Sequence, residues 1–279
     1  MKYSKKYVIF LSFLICSFAM FFTGCNNQYH QQFGVWWWDD TLDYSYLDYA
    51  QQNKINEIYY CNSSFDSHTE NFIIEANNRN IKVFYLAGEY QWLNDSSNLI
   101  AKINKLIDYN NSHQNAKFAG IHLDIEPHQA PEFNQSNDMR NMLITKLVEL
   151  AYYLSEQYPN LFIDYDLPFW LDDEVSINNI TKPAYAHIID VASRVTLMSY
   201  RDSAQEIYSV AEDEINYAIN VNKTLVLGVE TYSTEGDNVS FFEEGKTVLF
   251  QEIENLRKLI PSTFGIAVHH IKTLYELKP

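Results

Sequence analysis

The chain has 279 residues, 36 Asp and Glu against 20 Lys and Arg for a formal charge of −16, and 47% hydrophobic residues. That length suits one large domain or two small ones; the composition excludes disordered, collagenous and coiled-coil chains. The acidic excess argues against a nucleic-acid partner, whose phosphates need Lys and Arg to neutralise them. The uncommon quantity is the aromatic share, 15%, with 21 Tyr, 17 Phe and 5 Trp.

Lys2, Lys5 and Lys6 form a positive start, followed by the apolar run 8–22, broken only by Ser12 and Ser17 among the strongly polar types. The run is short for a membrane span, which takes roughly 20 residues. It ends Phe22-Thr23-Gly24-Cys25, and small residues before a Cys suit a cleavage site. The segment resembles a bacterial lipoprotein signal with its lipobox, which implies a signal peptide over 1–24, lipidation of Cys25 and an extracytoplasmic, membrane-anchored location in the bacterial cell envelope. Residues 25–32 then read as a polar tether. Cys16 leaves with the signal and Cys25 carries lipid, so Cys61 alone remains and no intramolecular disulfide forms.

From residue 33 onward, β-rich runs alternate with helical patterns, as βα units do. The expected strands are 33–38, 55–60, 81–86, 118–125, 161–167, 194–200, 224–230 and 264–269. Between them, apolar residues recur at helical spacing in 67–78, 98–109, 138–157, 204–220 and 241–259. In 138–157 the stripe is Met142, Leu143, Leu147, Leu150, Ala151 and Leu154. Eight such units in about 250 residues match a bare α/β (β/α)8 TIM barrel, read here as a single domain over 33–279. An open doubly wound sheet is the competing architecture, but no G-x-G-x-x-G or P-loop follows any strand. No Pro/Gly/Ser-rich linker and no internal repeat interrupts the pattern.

Alternate strand residues face opposite sides of a sheet. With Ile121, Leu123 and Ile125 facing the helices, His122, Asp124 and Glu126 line the barrel interior. By the same parity Asp164, Asp166 and, just beyond, Trp170 turn inward after the fifth strand. Thr196, Met198 and Tyr200 turn inward on the sixth, Gly228 and Glu230 on the seventh, and His269 on the eighth. Buried carboxylates cost free energy unless paired or used, and Asp124, Glu126, Asp166 and Glu230 all fall near the C-terminal strand ends, where barrel enzymes place their chemistry. Helix capping is the alternative role; it is weak for Glu126 and Glu230, since Glu is a poor N-cap, and at least as strong as function for Asp39, Asp40, Asp172 and Asp173. All five Trp lie at strand ends: Trp36, Trp37 and Trp38 after the first, Trp92 after the third and Trp170 after the fifth. Aromatic faces beside carboxylates suit sugars, whose C–H faces pack on rings while their hydroxyls bond to acids. Parity puts Trp36 and Trp38 on one side and Trp37 on the other. Trp36, Trp38, Trp92 and Trp170, with His122, Asp166, Met198, Arg201, Glu230 and His269, are therefore candidate substrate contacts.

The segment Phe118-Ala119-Gly120-Ile121-His122-Leu123-Asp124-Ile125-Glu126-Pro127 resembles the fourth-strand signature D-G-x-D-x-D-x-E of family 18 glycoside hydrolases, the chitinase and endo-N-acetylglucosaminidase group. Asp124 and Glu126 match its last Asp and its Glu; Ala119 and His122 stand where the first two Asp would be. Met198-Ser199-Tyr200 is similar to that family's M-x-Y-D, with Arg201-Asp202 following, and His269-His270 occupies the place of its eighth-strand Trp. The resemblance implies hydrolysis of an N-acetylated oligosaccharide or polysaccharide without a cofactor. In it Glu126 protonates the leaving oxygen, Asp124 orients the N-acetyl group whose carbonyl attacks the anomeric carbon, and Tyr200 helps to hold that group. Two carboxyls two residues apart on one strand face are also close enough for repulsion to raise one pKa, as a general acid needs.

Other readings stay open. Glu126 and Glu230 occupy the fourth- and seventh-strand positions of retaining glycosidases that use an acid/base and a nucleophile, although Ile125 replaces the Asn such enzymes carry before the acid. A glycan-binding lipoprotein without turnover would keep the same barrel and aromatic rings. His122, Asp124, His269 and His270 include proper metal-ligand types, but no H-x-H or H-E-x-x-H spacing occurs, so no metal is assigned. No G-x-S-x-G supports a serine hydrolase.

Overall fold

The computed structural model describes residues 31–38, 43–62, 64–233, 236 and 238–279. The signal segment 1–24, Cys25, most of the tether, and Asp39 and Asp40 lie outside the described residues. Ten strands are described: β1 (Phe33–Trp37), β2 (Glu57–Cys61), β3 (Lys82–Ala87), β4 (Ile121–Leu123), β5 (Ile163–Pro168), β6 (Glu174–Ile177), β7 (Ile180–Pro183), β8 (Arg194–Met198), β9 (Leu225–Glu230) and β10 (Gly265–His269). Eight of them, all parallel, close into a barrel in the order β1-β10-β9-β8-β5-β4-β3-β2. The helices are α1 (Tyr44–Gln52), α2 (Ser67–Asn78), α3 (Ser97–Ser112), α4 (Asn137–Gln157), α5 (Ala184–Val191), α6 (Ala204–Val210), α7 (Glu212–Asn220), α8 (Lys246–Leu259) and α9 (Ile271–Glu276). The chain is thus a (β/α)8 barrel. Among the described residues no helix is long and apolar enough to cross a membrane.

The strand faces divide as alternation requires. Val35, Trp37, Ile58, Tyr60, Ile121, Leu123, Ile163, Leu167, Val195, Leu197, Leu227 and Val268 are buried in the layer between sheet and helices. A separate inner cluster holds Trp36, Tyr59, Phe84, Leu86, Val226 and Ala267, with Cys61 and Phe162 against it. Each set removes a continuous apolar surface from water, the main stabilising term of the fold.

Local chemistry sets the boundaries. Helix α2 begins where Asp66 accepts hydrogen bonds from the backbone N–H groups of His68 and Thr69, and α4 where Ser136 accepts from Met139, each satisfying an otherwise unpaired donor. The expected helix 204–220 is two, α6 and α7, meeting at Ala211. The expected helix 241–259 starts only at Lys246, after Gly245 with φ of 87°. Helices α1, α5 and α9 complete the ring. The hairpin β6–β7 interrupts the βα alternation: Asn178 and Asn179 both take positive φ, 53° and 65°, the backbone of a tight hairpin turn that Asn tolerates. Asp173 does not cap a helix; it pairs with Arg140 at 2.7 Å.

The fourth strand is much shorter than the expected 118–125. Its ladder ends at Leu123, although Asp124 N–H still donates to the Ala87 carbonyl at 3.0 Å. A 3-10 turn at Pro127–Gln129 follows, and proline has no N–H with which to continue a ladder. Gly88 permits this exit, because a Cβ there would stand 1.8 Å from the Asp124 carbonyl oxygen. Asp124 and Glu126 are thereby delivered at the barrel mouth, on extended backbone just beyond the strand.

Candidate active site

Strand register assembles the interior from the bottom upward. His122, Asp164 and Arg194 are direct neighbours across β4, β5 and β8. Arg194 donates through Nε and Nη2 to Asp164 Oδ2 at 3.0 and 2.8 Å, and through Nη1 to Glu57 Oε2 at 2.8 Å. Its guanidinium lies over the rings of Phe84 and Phe162, 5.2 and 5.3 Å from their centroids. Thr196 Oγ1 adds a bond to Asp164 Oδ1 at 3.2 Å. Burial raises the pKa of Asp164, but Arg194 and then His122 outweigh it and hold that carboxyl down at about 2.

His122 is fully buried and stacked on Tyr59, with ring centroids 3.8 Å apart. Its Nδ1 lies 2.9 Å from Asp164 Oδ2 and its Nε2 lies 2.7 Å from Asp166 Oδ2. Burial disfavours the imidazolium, yet the two carboxylates prevail and push the pKa up to about 10. Both ring nitrogens therefore donate at neutral pH, each to an acid, in charge-assisted hydrogen bonds.

The next level is less fully paired. Asp166 Oδ2 accepts from His122 and from Trp36 Nε1, the latter at 2.9 Å, while its Oδ1 is buried with no partner. Asp124 Oδ1 is likewise buried and unpartnered. Burial first, then the charges of Asp166 and Glu126, hold the Asp124 carboxyl well above the usual range; His122 opposes the shift. Glu126, with 14% of its side chain exposed, is pushed up to about 7 by burial and then by Asp166, against His269. Glu126 makes no capping bond to the turn that follows it. Gln129 Nε2 donates to Glu126 Oε2, and His128 Nε2 stands 3.4 Å from Oε1. Burial pushes the His128 pKa down, so near neutrality it contributes little positive charge.

The opposite wall is closed by hydrogen bonds. Glu230 Oε1 accepts from the N–H groups of Thr231 and Tyr232, both at 2.7 Å, and Oε2 lies 2.8 Å from His269 Nδ1. Trp38 Nε1–H donates to His269 Nε2 at 2.8 Å, which assigns the proton of a neutral His269 to Nδ1, facing Glu230. Tyr200 lies near His269, ring centroids 6.0 Å apart. Gly228 leaves room for Tyr200 and Trp36, since a Cβ there would approach their rings to 3.1 and 3.4 Å. Burial, then Glu230 and the other carboxylates, keep the Tyr200 hydroxyl protonated well above its usual range. Met198 is partly exposed at the end of β8. Arg201 Nη1 donates to the Tyr200 carbonyl at 2.7 Å and its guanidinium lies over Phe169.

Of the candidate residues, the fold brings together Trp36, His122, Asp124, Glu126, Asp166, Tyr200, Glu230, His269 and Trp38. Trp170 joins them at one remove, packed 5.3 Å from His128 and beneath the Arg140 guanidinium. Trp92 is not at this mouth; it is 2% exposed in the outer layer between sheet and helices. Glu57, Tyr59, Arg194 and His128 were not among the candidates. For Arg194 a signal existed, because it shares the parity of Thr196 and Met198. Among the described residues no group of three or more His, Cys, Asp or Glu is arranged to hold a metal ion.

The sequence matches no family model and no curated protein. Solved structures do match in fold. A GH18 chitinase from Pseudoalteromonas aurantia superposes with a TM-score of 0.58 at 12% identity, covering 86% of this chain and 94% of its own. A putative chitinase A from Streptomyces coelicolor gives 0.54 at 11% identity, covering 88% and 94%. A GH18 chitinase from Cycas revoluta, in complex with (GlcNAc)3, gives 0.51 at 11% identity, covering 87% and 95%. At such identities the likeness is one of architecture: this chain is built on the barrel that family 18 chitinases use.

Proposed function

We propose that this chain is a glycoside hydrolase-like protein that cleaves an N-acetylated glycan outside the cytoplasm, tethered to the bacterial membrane through lipid on Cys25. The observation that carries the reading is Glu126, at the barrel mouth with its pKa raised to about 7, beside Asp124, whose buried Oδ1 has no partner. A carboxylic acid still protonated near neutrality is what a general acid requires.

In this reading Glu126 gives its proton to the glycosidic oxygen. The C–O bond breaks, and the pair of electrons leaves with that oxygen. The acetamido carbonyl of the same sugar attacks the anomeric carbon and closes an oxazolinium ring. Asp124 orients the acetamido N–H and Tyr200 donates to the carbonyl. Water then attacks the anomeric carbon, yielding a proton to the Glu126 carboxylate, and the ring reopens. The oligosaccharide in the Cycas revoluta chitinase recommends N-acetylglucosamine oligomers as first substrates. The retaining alternative with Glu230 as nucleophile is disfavoured by three hydrogen bonds already on its two oxygens.

The test is incubation of residues 25–279 with N-acetylglucosamine oligomers between about pH 4 and pH 8. The expected result is hydrolysis with an alkaline limb near pH 7, lost about 10³-fold in Glu126→Gln. Binding without turnover at every pH would replace this reading with the glycan-binding one. Hydrolysis lost in Glu230→Gln but retained in Glu126→Gln would point to different chemistry.

A further inference from the structure

We infer that Asp166 is a catalytic residue of this site, its free Oδ1 facing the reacting sugar as the anion that balances the positive charge of the oxazolinium ring, with His122 as its positioning residue. The inference rests on the reading above and goes beyond it, because that mechanism assigns no work to the fifth strand.

The geometry separates the two oxygens of Asp166. Oδ2 is held by His122 Nε2 at 2.7 Å and by Trp36 Nε1 at 2.9 Å, and Oδ1 is left without a partner in a side chain that is 2% exposed. An unpartnered carboxylate oxygen is costly to bury, and it remains so until something positive or proton-donating reaches it. No side chain around it donates to that oxygen: Asp124 and Glu126 are acids, the His122 ring is committed on both nitrogens, and the nearby hydroxyls of Tyr59 and Tyr200 feel the Asp166 charge but make no hydrogen bond to Oδ1. The sugar is what comes next. Protonating the leaving oxygen makes Glu126 an anion and the sugar a cation, so a carboxylate already in place stabilises the charge that develops without reorganising. Asp124 suits that task less well, since burial and then the charges of Asp166 and Glu126 push its pKa up and so disfavour its charged form.

His122 fixes this arrangement from beneath. One imidazolium edge is anchored on Asp164, itself clamped by two guanidinium nitrogens of Arg194; the other edge aims Asp166. The ring cannot turn without breaking the stack on Tyr59. The groups facing Asp166 are thus His122 and Trp36 on one oxygen, and Asp124, Glu126, Tyr59 and Tyr200 by charge.

The experiment measures pH–rate profiles of residues 25–279 and of Asp166→Asn on N-acetylglucosamine oligomers, with 15N NMR of the His122 ring. The asparagine variant is expected to lose about 100-fold or more in kcat, with KM changed less than about threefold. Its alkaline limb moves to lower pH, because the charge that repels the Glu126 carboxylate has gone. In the parent protein both His122 nitrogens are expected to be protonated at pH 7.5 (roughly, given the pKa of about 10). Should Asp166→Asn fail to fold, Asp166→Glu keeps the charge but displaces it, and is expected to lose about tenfold in kcat with the limb unmoved. A parent protein that hydrolyses nothing overturns this inference together with the proposed function. An active parent whose Asp166 variants keep kcat and the alkaline limb, or whose His122 is neutral, overturns this inference alone.

Discussion

Level with His122 or below it, the barrel interior holds Glu57, Asp164 and Arg194; above it stand Asp124, Asp166 and Glu126. The residue types are the same, but neither Glu57 nor Asp164 leaves a buried oxygen unpartnered, whereas Asp124 Oδ1 and Asp166 Oδ1 both are. The lower acids meet an arginine at 2.8 Å each. The upper acids act on one another by charge, and burial together with those charges raises the pKa values of Asp124 and Glu126. Paired charge orders the bottom of the barrel, and at the top two carboxyl oxygens stay without a hydrogen-bond partner. His122 joins the two, drawing its charge from the acids on either side.

Breaking the lower half should cost stability most. Arg194→Met leaves Glu57 and Asp164 buried without their cation, and a loss of about 3–5 kcal/mol is expected in urea unfolding. A loss under about 1 kcal/mol would show that water, or Gln32, whose Nε2 donates to Glu57 Oε2 at 3.1 Å, takes over the pairing. In the upper half the same kind of change should act the other way. Asp124→Asn is expected to reduce kcat about 10–100-fold while stability at neutral pH stays level or rises, because repulsion is removed. Equal destabilisation by both variants would erase the distinction between the halves.

The halves also differ in pH response. His122 is raised from 6.5 to about 10 in the folded chain, so its contribution is complete below about pH 6.5 and disappears as the pH climbs through about 10. Asp164 is lowered from 3.8 to about 2; its contribution is present above pH 3.8 and is lost as the pH falls through about 2. Glu126 has the opposite sign, raised from 4.5 to about 7, and costs stability progressively between those values. Urea midpoints followed across pH should therefore fall on the alkaline side, and His122→Gln should flatten that fall. The smallest effect expected is at the rim: Trp38→Phe removes the donor to His269 Nε2, worth about 1 kcal/mol, and should weaken oligosaccharide binding a few-fold. Trp92→Phe should leave KM unchanged, because that ring packs in the outer layer.

Much of this was legible from alternation alone. A strand exposes one residue set to water-free helices and the other to the barrel axis, so a run such as Ile121-His122-Leu123-Asp124-Ile125-Glu126 announces its inward residues without any partner in view. The hairpin β6–β7 was less legible, although Asn178-Asn179 between alternating residues is a turn signal. The two-helix break at Ala211 carries no marker of its own, since neither Gly nor Pro stands there.

Alternation reports a side, not a height or a neighbour. It placed His122, Asp164 and Asp166 inward, but register decided that His122 lies level with Asp164 and Arg194 across three strands, which turns a histidine into an imidazolium. It treated Trp92 as a companion of Trp36, yet the 3-10 turn at Tyr90–Leu93 directs that ring into the core between sheet and helices. The inward or outward sense of each side chain follows from local backbone geometry and can be read along one strand. The charge states and free oxygens of the mouth depend on groups 42 to 130 residues apart in the chain, and those meet only when the barrel closes.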